Sequence, residues 1–293
     1  MTRVVNAMTV DVEDYFHASA FDRIVSRPSW AARDSRVVGN TERLLECFDR
    51  AGIHATFFIL GWVAERFPQL VRDIAAAGHE IASHGFHHQL IYLLTPEQFR
   101  EDVRRAKATI EDAAGCGVRG YRAPSFSIVR ESLWALDVLI EEGHSYDASI
   151  FPIRHDRYGI AGAPRHAHRI NGLAGSLVEV PPSTVRIGAH NLPIAGGGYF
   201  RLLPYGWTRW GIARLNRAGE PAVFYIHPWE IDPDQPRLRA GRLTGMRHYH
   251  GLRQTLDRLE MLCNEFAFDT VSAMLAAQPD ATVAMAARWA HAK

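Results

Sequence analysis

Residues 4–14 have the sequence Val-Val-Asn-Ala-Met-Thr-Val-Asp-Val-Glu-Asp, and this stretch carries the main clue to the fold. The segment 4–12 is short, apolar and rich in β-branched residues, which predicts a buried strand. The strand ends in acidic residues. A strand that presents carboxylates at its C-terminal end is typical of β/α folds, in which functional groups collect along that edge.

Predicted strands and helices alternate along the rest of the chain, which indicates βαβ units in a parallel sheet or barrel. The alternation breaks at about residues 152–203, where Pro, Gly and short strand-like pieces indicate a β-rich insertion. We therefore expect an α/β fold with a single domain over residues 1–278 and a tail over residues 279–293. The predicted helices cover residues 40–52, 68–78, 95–114, 130–143 and 251–266, and the further strands cover residues 54–60, 80–83, 118–121, 145–149 and 223–227.

The composition excludes several classes of protein. The chain has 293 residues, with 33 Lys and Arg against 32 Asp and Glu, so its formal net charge is +1. A hydrophobic content of 47% excludes wholesale disorder, and the near-neutral charge argues against a nucleic-acid partner. Three widely spaced cysteines indicate neither a disulfide framework nor a zinc–thiolate site. Because no stretch has the pattern of a secretion signal or a membrane span, we expect a cytoplasmic protein.

Five polar clusters follow five of the predicted strands. Because the carboxyl ends of parallel strands meet at the same edge, we expect these clusters to converge on one site. One polar strand end means little, but acids, histidines and an arginine in the same place indicate catalysis. The clusters are Asp11-Val-Glu13-Asp14, His84-Gly-Phe-His87-His88, Arg122-Ala-Pro124, Asp147-Ala-Ser149 and Ile226-His227-Pro228.

The first two clusters contain metal-ligand types. Strand alternation places Asp11 and Glu13 on one face, where two carboxylates repel unless a cation or a proton separates them; helix capping is the alternative role. His84 and His88 would share one face of a helical turn. Two imidazoles and one carboxylate favour Zn²⁺, or Co²⁺, Ni²⁺ or Fe²⁺. Asp11 is then available as a general base, and His227 as a general acid.

These clusters, in this order, resemble the five motifs of the polysaccharide deacetylase family, which is also described as the NodB-homology domain or carbohydrate esterase family 4. The resemblance covers about residues 4–150 and 220–230. It implies a distorted (β/α) barrel with about seven strands. It also implies a hydrolase of non-peptide C–N bonds that uses a divalent metal to remove acetyl groups from N-acetylated sugars. The matching segments are TVDVED (9–14), SHGFHH (83–88), RAP (122–124), YDAS (146–149) and IHP (226–228).

The resemblance also implies a role for each motif residue. The family usually has two adjacent aspartates in its first motif, whereas this chain has Asp-Val-Glu-Asp. The third metal ligand is therefore Glu13, which shares the face of Asp11, or Asp14, which keeps the aspartate. The other implied roles are general base for Asp11, holder of that base for Arg122, metal ligand for His84 and His88, catalytic acid for His227 and orienting carboxylate for Asp147.

The substrate side of the site is predicted from segments near these motifs. Pro124, Ser125 and Phe126 are expected to bind substrate, with a backbone N–H near Ser125 facing the oxyanion. Trp229 would either stack on a sugar ring or lie in the core. The segments 17–21 (HASAF) and 179–204 resemble a bacterial subgroup that accompanies exopolysaccharide biosynthesis. The expected partner is an N-acetylated glycan or its lipid-linked sugar precursor.

Three functions remain open from the sequence. The first is polysaccharide N-deacetylation, and the second is hydrolysis of a non-sugar C–N bond, such as that of a cyclic amide, on the same fold. The third is a glycan-binding module without catalysis, which would have lost the base or a metal ligand. Asp11, His84, His88 and His227 are all present, which favours an enzyme that uses a metal ion.

Overall fold

The structure, a computed structural model, describes residues 4–278 and the two-residue strand Ala284–Met285. Its elements confirm the predicted alternation of strands and helices. The strands of this part of the chain are β1 (Val5–Val12), β2 (Thr56–Ile59), β3 (Glu80–Ser83), β4 (Gly120–Tyr121), β5 (Tyr146–Asp147), β6 (His168–Asn171), β7 (Ser176–Glu179), β8 (Thr184–Ile187), β9 (His190–Pro193), β10 (Val223–Ile226), β11 (Ala267–Asp269) and β12 (Ala284–Met285).

The helices cover the outside of the sheet, and the longest of them was predicted most closely. Thr95 caps α4: its hydroxyl oxygen accepts a hydrogen bond from the backbone N–H of Gln98, and the Gln98 side-chain oxygen accepts one from the backbone N–H of Thr95. The helices are α1 (Val37–Ala51), α2 (Gly61–Arg66), α3 (Pro68–Ala76), α4 (Pro96–Ala114), α5 (Trp134–Glu141), α6 (Gly197–Leu202), α7 (Tyr205–Arg217), α8 (Arg242–Tyr249), α9 (Leu252–Glu265) and α10 (Val271–Ala276). None of those in the described residues is both long and apolar enough to cross a bilayer.

Seven parallel strands form the centre of the fold, in the order β10-β1-β2-β3-β4-β5-β7. β11 pairs with the beginning of β1, and β6 runs antiparallel beside β7. Helices connect the strands from β1 to β5, and such βαβ connections return each strand to the same direction. The architecture is the predicted α/β fold, and its strand order is that of a distorted barrel.

The two faces of β1 have different surroundings because side chains alternate along a strand. Met8, Val10 and Val12 point outward into the main hydrophobic core, which lies between the sheet and the helices. Thr9 and Asp11 occupy the alternate positions and are buried inside the barrel. The first strand therefore brings a carboxylate into the barrel interior at its C-terminal end.

The barrel is closed irregularly between β7 and β10. The backbone N–H of Val223 donates to the hydroxyl of Ser183 at 2.7 Å, and that of Tyr225 donates to the carbonyl of Ala195 at 2.7 Å. At Gly196, φ is +121° and a Cβ atom would lie 1.9 Å from the carbonyl oxygen of Tyr225. Only glycine permits this approach, so Gly196 serves the closure of the barrel.

The segment 152–203 is only partly the insertion that the sequence predicts. It is rich in strands, and β8 and β9 form a separate antiparallel hairpin. However, β7 is a regular member of the central sheet, and the segment ends in a helix, α6. Of the predicted tail 279–293, the structure describes only β12, which pairs with β6, and the other residues of the tail lie outside the described residues.

Candidate active site

Asp11 is held inside the barrel by a buried arginine. Arg122 is fully buried, and its Nη1 donates to Oδ1 of Asp11 at 2.7 Å and to the hydroxyl of Thr9 at 2.8 Å. The Arg122 guanidinium also lies over the ring of Phe58, with its Cζ 4.1 Å from the ring centroid. A permanent positive charge therefore fixes one oxygen of Asp11, and the other oxygen lies 3.7 Å from Nε2 of His227.

His84 and His88 lie in a loop, which corrects the predicted helical turn. Gly85 and His88 both have left-handed backbone conformations, with φ of +72° and +50°. Asp102 stabilises the loop, since its carboxylate accepts hydrogen bonds from the backbone N–H groups of Phe86 at 2.8 Å and His87 at 3.4 Å. The two left-handed residues, not helical periodicity, bring the imidazole centroids to 5.4 Å.

Glu13, His84 and His88 form a buried group in which one ligand atom from each side chain lies within 4.8 Å of the others. Nδ1 of His84 donates to the carbonyl of Arg122 at 2.8 Å, which leaves the Nε2 lone pair free to bind a cation. Nε2 of His88 lies 2.7 Å from Oε2 of Glu13. Two imidazoles and a carboxylate held this closely match the donor set of a catalytic divalent ion, so the residues fit a metal.

The electrostatics of Glu13 also suit a cation. Burial by itself would raise the pKa of this carboxyl, but His88, His227 and His84 outweigh burial and hold the pKa well below its usual range. Glu13 Oε1 also accepts a hydrogen bond from the indole N–H of Trp229 at 3.1 Å. The carboxylate is therefore ionised and fixed in orientation.

Asp14 binds the start of α1 and does not belong to the metal-ligand group. Its carboxylate accepts hydrogen bonds from the Ser35 hydroxyl at 2.6 Å and from the backbone N–H groups of Arg36 at 3.0 Å and Val37 at 3.3 Å. These groups lie at the start of α1, which begins three residues before the predicted cap Asn40 because Asp14 satisfies the exposed amides there. Burial raises the pKa of Asp14 to about 6 despite these hydrogen bonds. The geometry therefore favours Glu13 over Asp14 as the third ligand.

His227 is oriented by Glu230. Nδ1 of His227 donates to Oε1 of Glu230 at 2.6 Å, and Nε2 lies 3.6 Å from Oε1 of Glu13. Burial alone would lower the pKa of His227, but the carboxylates of Glu230, Glu13 and Asp11 raise it to about 9. His227 is therefore an imidazolium at neutral pH, and its Nε2 points toward the two carboxylates of the first motif.

The predicted role of Asp147 is wrong. Oδ1 of Asp147 accepts a hydrogen bond from Ser149 at 2.5 Å, and its strand neighbour is Glu179 on β7. Within residues 4–278, the hydrogen bonds and ion pairs of Asp147 and His227 do not join the two residues. The reason is local: the chain turns directly after β10 and presents Glu230 to the imidazole three residues later.

Glu230 is anchored in turn by Arg201, which the sequence analysis missed. Nε of Arg201 lies 3.4 Å from Oε2 of Glu230, and its Nη1 donates to the carbonyls of His248 at 2.8 Å and His250 at 2.9 Å. Arg201 is only 4% exposed. A carboxylate three residues after the histidine of the fifth motif was the available signal for Glu230, whereas nothing in the local sequence identifies Arg201.

Trp229 packs among the site residues and also borders the cavity. It is only 6% exposed, and the rings of His248 and His227 stack on it with centroids at 4.2 Å and 5.2 Å. The Arg201 guanidinium also lies over the indole. Its indole N–H donates to Oε1 of Glu13, so Trp229 also orients this carboxylate.

Two residues of the segment after the third motif border the site. Ser125 and Phe126 line the cavity described below and both have φ of +53°, a strained conformation for residues with a side chain. Ser125 is held there by Ser19, with 2.6 Å between the hydroxyl oxygens. Pro124 is buried beneath this turn and does not contact the cavity.

His17, in the segment HASAF, supports the first motif. It is fully buried, and its Nδ1 accepts a hydrogen bond from the backbone N–H of Asp14 at 2.9 Å. Its ring packs against Trp30 and Trp62. Burial lowers the pKa of His17 to about 3, so it is a neutral acceptor that fixes the turn after Glu13.

These groups lie at one end of a cavity of about 720 Å³. The inner end of the cavity is lined by Asp11, Glu13, His88 and His227. Four tyrosines supply aromatic surface, and the exposed residues at the mouth include Arg157 and Arg247. The tyrosines are Tyr92, Tyr158, Tyr199 and Tyr225. A cavity of this size can hold a small sugar or the end of a longer chain.

The fold and site define an α/β barrel with a buried carboxylate–histidine group at the carboxyl ends of its strands. Residues 21–139 match the family described as "Polysaccharide deacetylase". This matched segment is therefore polysaccharide deacetylase-like, and it contains the second and third of the five motifs, SHGFHH and RAP. Residues 148–276 match a second family, described as "Domain of unknown function (DUF3473)".

The two matched segments contribute to one site. His84, His88 and Arg122 belong to the first segment, whereas His227 and Glu230 belong to the second. Asp11, Glu13 and Asp14 precede both. The central sheet also takes strands from both segments, so neither contains the complete site.

Curated relatives and a solved structure are similar to this chain. It is 30% identical over 98 residues to "Peptidoglycan-N-acetylglucosamine deacetylase" from Bacillus cereus, which is 33% of this chain and 36% of the relative. It is 32% identical over 110 residues to "Peptidoglycan deacetylase" from Helicobacter pylori, which is 37% of this chain and 36% of the relative. The chain therefore spans about a third of the length of these relatives.

The fold is similar to that of a crystal structure from Mycobacterium smegmatis, of a protein assigned as a polysaccharide deacetylase. The TM-score is 0.65 with 22% sequence identity, over 97% of this chain and 92% of the other. This similarity extends to nearly the whole chain, including the part outside residues 21–139. It supports the shared barrel fold.

Proposed function

We propose that this protein is a hydrolase that removes the acetyl group from N-acetylated sugars with the help of a divalent metal ion. The observation that carries this proposal is one arrangement at the inner end of the cavity. There Glu13, His84 and His88 form a metal-ligand group, and Asp11 and His227 lie beside it. The match to the polysaccharide deacetylase family and the names of the relatives support acetylated sugars as the substrate class.

The metal would be held by Glu13, His84 and His88, while Asp14 stays at the start of α1. The donor set favours Zn²⁺, with Co²⁺, Ni²⁺ and Fe²⁺ as alternatives. When bound, such an ion supplies Lewis acidity toward a carbonyl oxygen and a lowered pKa for water. The hydrogen bonds from Trp229 to Glu13 and from His84 to the Arg122 carbonyl orient the ligands.

Asp11 would act as the general base. Arg122 occupies one of its oxygens, so the other is directed toward the space shared with Glu13 and His227. Asp11 accepts the proton that water loses as it attacks the acetyl carbonyl. The arginine keeps the base in place at the start of the reaction.

His227 would act as the general acid. Its imidazolium is stabilised by Glu230, and Nε2 faces the reaction space. As the C–N bond breaks, His227 donates a proton to the departing nitrogen. The products are acetate and a sugar with a free amine, so atoms and charge balance across the hydrolysis.

The proposal extends to the biological substrate. The segments 17–21 and 179–204 support a role in exopolysaccharide biosynthesis, with an N-acetylated glycan or a lipid-linked sugar precursor as substrate and a cytoplasmic location. Tyr92, Tyr158 and Tyr199 would contact the sugar rings along the cavity. A single domain over residues 1–278 is part of this proposal, since both matched segments supply site residues.

Acetate release tests the function. The protein is stripped of metal with a chelator, reloaded with Zn²⁺ or Co²⁺, and offered N-acetylated oligosaccharides, lipid-linked N-acetylated sugars and cyclic amides. We expect acetate and free amine in equal amounts from a sugar substrate, only after reloading. Asp11→Asn and His84→Ala are the matched inactive variants. Full turnover without metal, or turnover of cyclic amides alone, would contradict the proposal.

A further inference from the structure

The segment from Gln235 to Leu256 is strongly basic. It contains five arginines and no acidic residue, although the formal charge of the whole chain is only +1. All five arginines are exposed, and their side chains form no ion pair within residues 4–278. These arginines are Arg237, Arg239, Arg242, Arg247 and Arg253.

Within this segment, α8 exposes large apolar side chains between the arginines. Leu243 is 57% exposed and Met246 is 55% exposed. Arg242 and Arg247 lie beside them, because residues three and four apart share one side of a helix. We call the exposed surface formed by Arg242, Leu243, Met246 and Arg247 the α8 face.

The other side of α8 is fastened to the active site. His248 is buried and stacks on Trp229, with ring centroids 4.2 Å apart. The carbonyl oxygens of Arg247 and His248 accept hydrogen bonds from Nη1 of Arg201 at 3.1 Å and 2.8 Å. The helix is therefore held in place, so its exposure is not a consequence of loose packing.

The α8 face borders the mouth of the cavity. Thr244 and Arg247 line the cavity from α8, and Leu202 lines it from α6. Leu202 is itself 40% exposed, so it extends the apolar surface toward the opening. A partner that covers the α8 face would therefore lie directly against the entrance to the active site.

We infer that the α8 face docks on an anionic lipid surface. Exposed apolar side chains next to basic ones suit such a surface, because the apolar groups can enter the boundary of the acyl chains while the arginines pair with anionic headgroups. A soluble acidic glycan could pair with the arginines but would leave Leu243 and Met246 in water. Docking would place the cavity mouth at the headgroups. It is independent of the proposed catalytic activity.

Vesicle sedimentation tests the docking. The full chain is mixed with vesicles of phosphatidylcholine and phosphatidylglycerol, or of phosphatidylcholine alone. We expect binding to the anionic vesicles, weakened by salt because the Debye length falls as ionic strength rises. Arg242→Gln with Arg247→Gln should lower the partition coefficient about 30-fold, since each arginine near an anionic leaflet contributes roughly fivefold. Leu243→Ser with Met246→Ser should lower it about tenfold.

Matched controls come from other exposed positions. Leu173→Ser with Met261→Ser, and Arg72→Gln with Arg119→Gln, change the same residue types elsewhere on the surface and should bind vesicles like the unmodified protein. Equal effects of the control and α8 variants would overturn the inference. So would binding to a soluble acidic polysaccharide without sedimentation on anionic vesicles, or failure to bind either vesicle. Acetate release, measured in parallel, reports on the proposed function separately.

Discussion

The carboxylate of Glu230 lies 2.6 Å from Nδ1 of His227, and both residues belong to the same turn at the end of β10. Arg201 approaches the other oxygen of this carboxylate at 3.4 Å. The orientation and the charge of the imidazole are thus set within four consecutive residues and one buried arginine. A carboxylate from another strand is not needed for this purpose.

Replacing Glu230 should move the pH dependence of catalysis. In Glu230→Gln, the imidazolium loses its nearest carboxylate, so the pKa of His227 falls and the basic limb of the kcat/KM profile moves to lower pH. We expect a shift of about one pH unit or more and a kcat lower by ~10²-fold. Acetate release across pH measures both. Asp147→Asn should leave the basic limb in place, and a limb shift in that variant alone would contradict the assignment.

Substitutions of Glu13 and Asp14 should have different effects, one on metal binding and the other on the free energy of unfolding. Glu13→Gln should lose most bound metal and retain the fold, because its carboxylate belongs to the ligand group. Asp14→Asn should keep the metal but lower the free energy of unfolding by about 1 kcal/mol, as for loss of a helix cap. Elemental analysis and denaturant unfolding measure the two effects. Loss of metal from the Asp14 variant, with metal retained in the Glu13 variant, would reverse the ligand assignment.

Gly196 should tolerate no side chain, whereas Gly198, two residues later, should tolerate one. In Gly196→Ala, the Cβ atom would meet the Tyr225 carbonyl oxygen at 1.9 Å, so β10 would have to move. In Gly198→Ala, the nearest atom is the Arg201 side chain at 3.9 Å. We expect Gly196→Ala to cost about 3 kcal/mol or more and Gly198→Ala less than ~1 kcal/mol. Thermal unfolding of the two variants checks this, and equal Tm values would show that the closure is not tight.

Asp147 and Glu179 should make stability depend on pH. They are register partners on β5 and β7, and both are fully buried. Burial raises the pKa of Asp147 to about 6 and that of Glu179 well above its usual range. The folded protein therefore keeps protons that the unfolded chain has released.

The direction in which pH changes the free energy of unfolding follows from this difference in bound protons. The free energy of unfolding should fall as pH rises above the unfolded pKa values near 4, by up to ~1.4 kcal/mol per pH unit for each retained proton. Glu179→Gln should make this slope shallower between about pH 5 and pH 8, while the exposed control Glu131→Gln should not. Denaturant unfolding at several pH values measures the slope. An unchanged slope in Glu179→Gln would show that the pair is ionised in the folded state.

The polar residues that converge on the site could be named from the sequence because strand polarity is a local property. An apolar β-branched run predicts a strand, and the residues directly after it must lie at its carboxyl end. Asp11, His84, Arg122 and His227 were all located in this way. The pairing of Arg122 with Asp11 also agrees with the resemblance, and in the structure Nη1 of Arg122 lies 2.7 Å from Oδ1 of Asp11.

Only the tertiary structure determined the contact partners of these residues. Glu13 and Asp14 are adjacent in sequence, yet one faces His88 and the other caps α1, because successive residues leave a strand in different directions. Glu230, not Asp147, is the partner of His227, because Glu230 lies three residues away in the same turn whereas Asp147 lies on a different strand. The sequence thus determined which chemical groups meet, through local propensity and strand direction. Which group contacts which depended on side-chain geometry and burial, and these are set by the packing of the whole chain.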